Sequence, residues 1–132
     1  MEIEEKCFIL PWSKLSFLHE LLDNERAYYY VAVRDQQILG YIGMWIVLDE
    51  GHITNLAVHP SYRRQGVGRA LLKNLAFEGK KMGLNYLTLE VRISNLSAQI
   101  LYKEVGFVEA GVRPGYYQDN REDALIMWKG PL

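Results

Sequence analysis

Two strand-like runs with one helix-length segment between them limit what this chain can fold into more than any other feature. Residues 52–58 and 86–91 are short and rich in apolar and β-branched side chains. Residues 67–82 instead place Val67, Leu71, Leu75 and Met82 toward one apolar face, ahead of Gly83, a natural C-terminal cap. A strand that leaves through a helix of that length and rejoins its own sheet must rejoin it parallel. The chain ahead of this unit reads differently. Residues 28–34, 38–48 and 52–58 are strand-like and are joined only by Asp35-Gln36-Gln37 and Asp49-Glu50-Gly51, so they form an antiparallel meander. Upstream, Ser13 can cap a helix whose Leu15, Leu18, Leu21 and Leu22 share one face and which Asp23-Asn24 closes. Downstream, Asn95 caps a helix running through Glu104 and stopped by Gly106, and residues 107–112 and 124–128 follow as strands. The expected fold is of the α/β class, with one mixed central sheet in which an antiparallel meander is followed by helix-strand-helix-strand-strand. A dinucleotide-binding domain would alternate strand and helix from its start, and this chain does not.

The length of 132 residues fits a single domain over residues 1–132, and 49% hydrophobic residues allow a substantial core. A net charge of −1 gives no broad electrostatic reason to bind nucleic acid or a membrane, so a small molecule or a peptide is the expected ligand. The single cysteine, Cys7, rules out an internal disulfide and suits a reducing compartment; it reads as a small packing residue rather than a nucleophile. No apolar run reaches the length of a membrane span, and Met1-Glu2-Ile3-Glu4-Glu5 is not a signal peptide. A cytoplasmic location is therefore expected. His19, His52 and His59 have no metal-ligand spacing with one another or with Cys7, and no metal is assigned.

The loop between residues 58 and 70 carries the strongest chemical signal. Gly66 and Gly68 let an anion approach the backbone N–H groups, the following helix presents its positive end to the same point, and Arg63, Arg64 and Arg69 add charge. A strand-loop-helix of this kind reads as a pyrophosphate cradle; the plainer alternative is a glycine-bearing turn with solvated arginines. A Walker loop would need Gly-Lys-Ser/Thr where Arg69-Ala70 stands, and a dinucleotide fingerprint would need a small residue at Leu71. Arg-x-x-Gly-x-Gly, here Arg63 to Gly68, resembles the loop of the GNAT family of acyl-CoA-dependent N-acetyltransferases. That resemblance implies the GNAT fold, acetyl-CoA as cosubstrate, and contacts to it from Arg63, Arg64, Gln65, Gly66, Val67, Gly68, Arg69 and Ala70.

Further blocks extend the resemblance over most of the chain: 54–60 (TNLAVHP), 89–95 (LEVRISN), 101–107 (LYKEVGF), Tyr116-Tyr117, and 122–127 (EDALIM). In combination they resemble the RimI-type branch of the family, bacterial enzymes that acetylate the N-terminal alanine of a small-subunit ribosomal protein. Two departures stand out. The stretch before Pro11-Trp12 is short for both an opening strand and a complete first helix, which leaves room for the opening strand to be absent. Gly115 stands where relatives more often carry Asn.

The resemblance assigns roles that chemistry supports. An α-amine is about 3.5 kcal/mol easier to deprotonate than a lysine, so a carboxylate can serve as its base. Glu90 matches the family's proton acceptor, and Tyr102 the donor that meets the departing thiolate; the plainer readings are an exposed or Arg92-paired Glu90 and a core Tyr102. Asn95 would hydrogen-bond the coenzyme as well as cap its helix, and Leu56, Ala57 and Val58 would pair their main chain with the pantetheine arm at an opened strand edge. Tyr116 and Tyr117 could wall the groove for a peptide N-terminus, with Glu122 or Asp123 attracting its ammonium. The expected reaction is direct attack in a ternary complex on a protein N-terminus, with no direct nucleic acid or membrane partner. A GNAT enzyme acetylating a lysine or a small amine, or a CoA-sensing module without turnover, stays open, although Glu90 and Tyr102 together speak against the last. Residues 28–34 carry no charge before Arg34, so that edge should be covered, either by residues 1–10 in a monomer or by a second copy in a homodimer.

Overall fold

Strand alternation and helical spacing both appear where the sequence places them, in a computed structural model that describes residues 8–11, 27–34, 37–63 and 65–132. Within these, seven strands form one sheet: β1 (Phe8–Pro11), β2 (Ala27–Arg34), β3 (Gln37–Val47), β4 (Glu50–Val58), β5 (Tyr86–Arg92), β6 (Val108–Arg113) and β7 (Ala124–Lys129). Their spatial order is β1-β2-β3-β4-β5-β7-β6. Every neighbouring pair is antiparallel except β4 with β5, which run parallel because α1 (Val67–Lys81) connects them. A second helix, α2 (Leu96–Glu104), lies between β5 and β6 in the chain.

An opening strand is present. β1 pairs Phe8 with Val33 through Pro11 with Tyr30, so β2 is not left as a bare edge. The helix expected around Leu15 to Leu22 with its Ser13 cap lies outside the described residues, as do Cys7, His19 and Arg64.

The core forms where α1 crosses the sheet. Val67, Leu71, Leu72 and Leu75 turn inward against Leu39, Ile42 and Met44 of β3, Ile53 of β4, and Leu87, Leu89 and Val91 of β5. Each such side chain, fully removed from water, contributes about 1.5–3 kcal/mol. Met82, expected on the same face, is instead exposed, because the helix ends at Lys81 and Met82 is its C-terminal cap. Leu84, just beyond, takes the place in the core: its N–H returns to the Gly79 carbonyl at 2.9 Å and its side chain is buried.

Candidate active site

Parallel pairing between β4 and β5 is brief: Glu50 faces Tyr86, Gly51 faces Leu87 and His52 faces Thr88, although β4 continues to Val58 and β5 to Arg92. A bulge bends β4 just beyond. Gly43 of β3 faces Asn55 and Met44 faces Ile53, so Thr54 is an extra residue in β4. The two strands part, and a cleft of about 230 Å³ opens between them. Leu56, Glu90, Arg92, Asn95, Tyr102 and Tyr117 all line it. Four separate segments of the sequence thus meet at one place, and on its β4 wall the main chain at Leu56, Ala57 and Val58 continues past the last residue paired with β5.

Glu90 alternates with buried Leu89 and Val91 along β5, which puts its side chain on the other face of the sheet. Its carboxylate is only 11% exposed. One oxygen, Oε2, lies 2.7 Å from His52 Nε2, and Oε1 lies 3.5 Å from Arg113 Nε. The expected alternative partner, Arg92, is engaged elsewhere: it bonds Asp119 at 2.9 Å and Glu122 at 3.3 Å, and its guanidinium lies 4.0 Å over the Tyr117 ring. His52 and Arg113 escaped the sequence reading, because only strand register and the return of β6 bring them beside Glu90.

Tyr102 projects from α2 into the same cleft, its ring 5.7 Å from Phe107. Burial, and secondarily the nearby Tyr117, push its phenol above the usual range, so it holds its proton at neutral pH. Asn95 caps α2 as the sequence predicts, its side-chain oxygen accepting from Ala98 N at 3.2 Å.

The glycine loop enters α1 through a 3-10 turn, Pro60–Tyr62, that His59 starts by accepting from Ser61 N at 3.1 Å. Gly66 then takes a left-handed conformation with φ of 84°, which a side chain would strain, and Ala70 N–H returns to its carbonyl at 2.9 Å. The first N–H groups of α1, at Val67, Gly68 and Arg69, therefore have no intrahelical acceptor and are available to an anion. Gly68 also has a packing reason to be small: a Cβ there would come within 3.1 Å of Leu101 Cδ2 on α2. The charged side chains are disposed less simply. Arg63 is exposed and lies 3.4 Å from the Val58 carbonyl, Gln65 bonds the Ser61 carbonyl at 3.2 Å, and Arg69 ties α1 to Glu104 of α2 at 2.9 Å.

On the opposite wall, Tyr116 and Tyr117 stack edge to face with centroids 5.1 Å apart, and Tyr117 faces the cleft. The two carboxylates expected to attract an ammonium have other engagements. Glu122 Oε2 accepts from Ser94 N at 2.7 Å, and Asp123 Oδ1 accepts from Gly115 N at 2.8 Å. Hydrogen bonds from Ser94, side chain and then main chain, hold the Glu122 carboxyl below the usual carboxylate range against the opposing effect of desolvation. Gly115 has φ of 59°, a left-handed conformation that glycine adopts without strain, so the residue present suits the turn. Among the described residues no group of three or more His, Cys, Asp or Glu side chains could hold a metal ion, and no helix is long and apolar enough to cross a membrane.

A parting parallel strand pair with a glycine loop at the head of the crossover helix is matched by the comparison with known proteins: residues 1–107 fit the acetyltransferase (GNAT) family. The chain belongs to that family. It is thus an N-acetyltransferase, and its relatives narrow the branch. A protein of Bacillus subtilis (strain 168), to which [ribosomal protein bS18]-alanine N-acetyltransferase activity is provisionally given, is 49% identical over 127 residues, covering 96% of this chain and 84% of its own. The crystal structure of the ribosomal-protein-S18-alanine N-acetyltransferase from Escherichia coli superposes with a TM-score of 0.77 at 40% identity, covering 98% of this chain and 84% of that one. A GNAT acetyltransferase from Elizabethkingia anophelis, solved with acetyl-CoA bound, shares the fold with a TM-score of 0.82 at 20% identity, over 96% of this chain and 99% of that one.

Proposed function

We propose that the protein transfers acetyl from acetyl-CoA to the α-amino group of a protein N-terminus, with the alanine of ribosomal protein bS18 as the leading acceptor. The observation that carries this reading is the meeting of Glu90 and Tyr102 in one cleft between parted strands, one of which, β4, leads into the glycine loop at the head of α1. Two likenesses support the acceptor: the Bacillus subtilis and Escherichia coli proteins are both named for that alanine.

Each residue has a defined part. The N–H groups of Val67, Gly68 and Arg69 receive the coenzyme's pyrophosphate at the positive end of α1, aided by Arg63, Gln65, Gly66 and Ala70, with Arg64 assigned from the sequence alone. Main-chain groups of Leu56, Ala57 and Val58 pair with the pantetheine amides as a further strand would, and Asn95 hydrogen-bonds the same arm. Glu90 takes the proton that the ammonium must lose, directly or through one water. The freed amine then attacks the thioester carbon, the carbon–sulfur bond breaks as Tyr102 gives its proton to the sulfur, and the second proton, left on the new amide nitrogen, passes to the tyrosinate through water and restores Tyr102. No acyl-enzyme is needed, because holding both substrates in one cleft supplies the proximity. Tyr116 and Tyr117 form the acceptor wall, while Glu122 and Asp123 hold that wall in shape. Such an enzyme would work in the cytoplasm, where ribosomal proteins are made.

The deciding experiment incubates the protein with acetyl-CoA and peptides that differ in their first residue, an alanine-initiated bS18 N-terminus among them, and locates the acetyl group by mass spectrometry. Modification of the α-amine, fastest for the alanine peptide, is expected. Modification of internal lysines alone, or of small amines alone, overturns the acceptor; absence of any transfer with coenzyme still bound would point to a sensing module.

A further inference from the structure

His52 occupies a singular place. It is the last residue of β4 that still faces β5, opposite Thr88, and the strands separate immediately beyond it. Glu90 lies two residues past Thr88 on the same face of β5, which sets it just inside the vertex of the opening. A carboxylate beside such a gap has room to turn, and a base that turns away from the acceptor is lost to the reaction. His52 does not line the cleft itself. It reaches Glu90 from the closed end of the opening, with Nε2 at 2.7 Å from Oε2, whereas the contact of Arg113 with Oε1 is longer, at 3.5 Å, and comes from a side chain that is 56% exposed.

We infer that His52 is a positioning residue for Glu90: its Nε2–H donates to Oε2 and fixes the carboxylate, leaving Oε1, which has only the longer contact with the exposed Arg113, to take the proton of the acceptor amine. The imidazole touches neither substrate nor coenzyme; it acts through the carboxylate. Its seat is made by backbone register rather than by local sequence. β3 presents Trp45 on one side of His52 and β5 presents Thr88 on the other, and His52 remains 39% exposed, so the contact is a shaped one and not a consequence of burial. One donor suffices for the task, which makes the inference specific: any side chain that puts an N–H in the place of Nε2 should serve, and one that only fills the space should not.

The inference rests on the reading of Glu90 as the base, and the experiment separates the two. His52→Leu keeps bulk and removes the donor; His52→Gln places its amide N–H near the position of Nε2. Steady-state kinetics with the alanine-initiated peptide should show kcat for His52→Leu lowered about 10- to 100-fold, with KM for acetyl-CoA unchanged, and His52→Gln should recover most of the loss. In a Glu90→Gln background, His52→Leu should cause no further loss, because the two residues act as one unit. Thermal melting of each variant with and without coenzyme A reports folding and binding independently of turnover. Wild-type kcat in His52→Leu overturns the inference, as does an equal loss in His52→Gln when both variants melt like the parent. Full activity in Glu90→Gln would instead overturn the assignment of the base, whatever the His52 variants do.

Discussion

At the scale of single residues, two positions show how local chemistry and the fold disagree or cooperate. Leu48, in the two-residue connection between β3 and β4, has φ of 56° and is 89% exposed. A leucine gains nothing from that exposure, and its Cβ makes the left-handed conformation costly. Leu48→Asn should therefore stabilise the protein by about 0.5–1 kcal/mol, since asparagine tolerates the conformation without glycine's entropy in the unfolded chain. Urea unfolding would register it as a raised midpoint with an unchanged slope. Glu122 illustrates cooperation. Its carboxyl titrates lower in the folded protein than in the unfolded chain, so the folded state binds fewer protons as the pH falls. The stabilisation is therefore present above the ordinary carboxylate range and disappears as pH drops through the depressed folded value. Stability measured against pH should fall in acid for the parent, and Glu122→Gln, already lacking the charge, should be weaker at neutral pH and converge with the parent in acid.

At the scale of elements, the approach of α1 to α2 matters as much as either helix alone. Gly68 on α1 lies under Leu101 of α2, the residue next to Tyr102, and Arg69 pairs with Glu104 across the same seam. Gly68→Val would push the helices apart, costing about 1–3 kcal/mol before any coenzyme is present. Because α2 carries both Asn95 and Tyr102, the same change should lower coenzyme affinity and turnover together. Calorimetry of the coenzyme-free variant distinguishes this from an effect confined to the phosphate loop, which would leave the melting temperature of the free protein unchanged.

For the whole molecule, the sheet's two outer strands decide how it meets other copies. β6 is a poor template for pairing, since it carries Glu109 and Arg113 and is broken by a bulge at Ala110. β1 is only four residues long and ends in Pro11. With β2 covered from within the chain, light scattering should find a monomer, and the amides of residues 30–33 should exchange slowly with solvent. Removing residues 1–11 should uncover β2 and produce concentration-dependent association. A dimer of the intact chain would show that the cover provided by β1 is insufficient.

Much of this was legible along the chain. Turn residues and alternation located the strands, an apolar stripe and a following glycine located α1, and Asn95 announced the start of α2, because each of these depends on neighbours within a few residues. The Arg-x-x-Gly-x-Gly loop was legible for the same reason: its turn, with Gly66 left-handed, and the start of α1 are made by its own backbone. What lay beyond sequence reasoning depends on register across the sheet. Nothing local says that His52 stands beside Glu90, 38 residues later, or that Arg92 turns to Asp119 and Glu122 instead. Met82 shows the converse, a residue with the right period that ends outside the core because the helix stops one position early. Short-range periodicity thus determined the elements, and short motifs the resemblance to a family, while the separation of β4 from β5, and with it the surroundings of the Glu90 carboxylate, was decided only when distant strands paired.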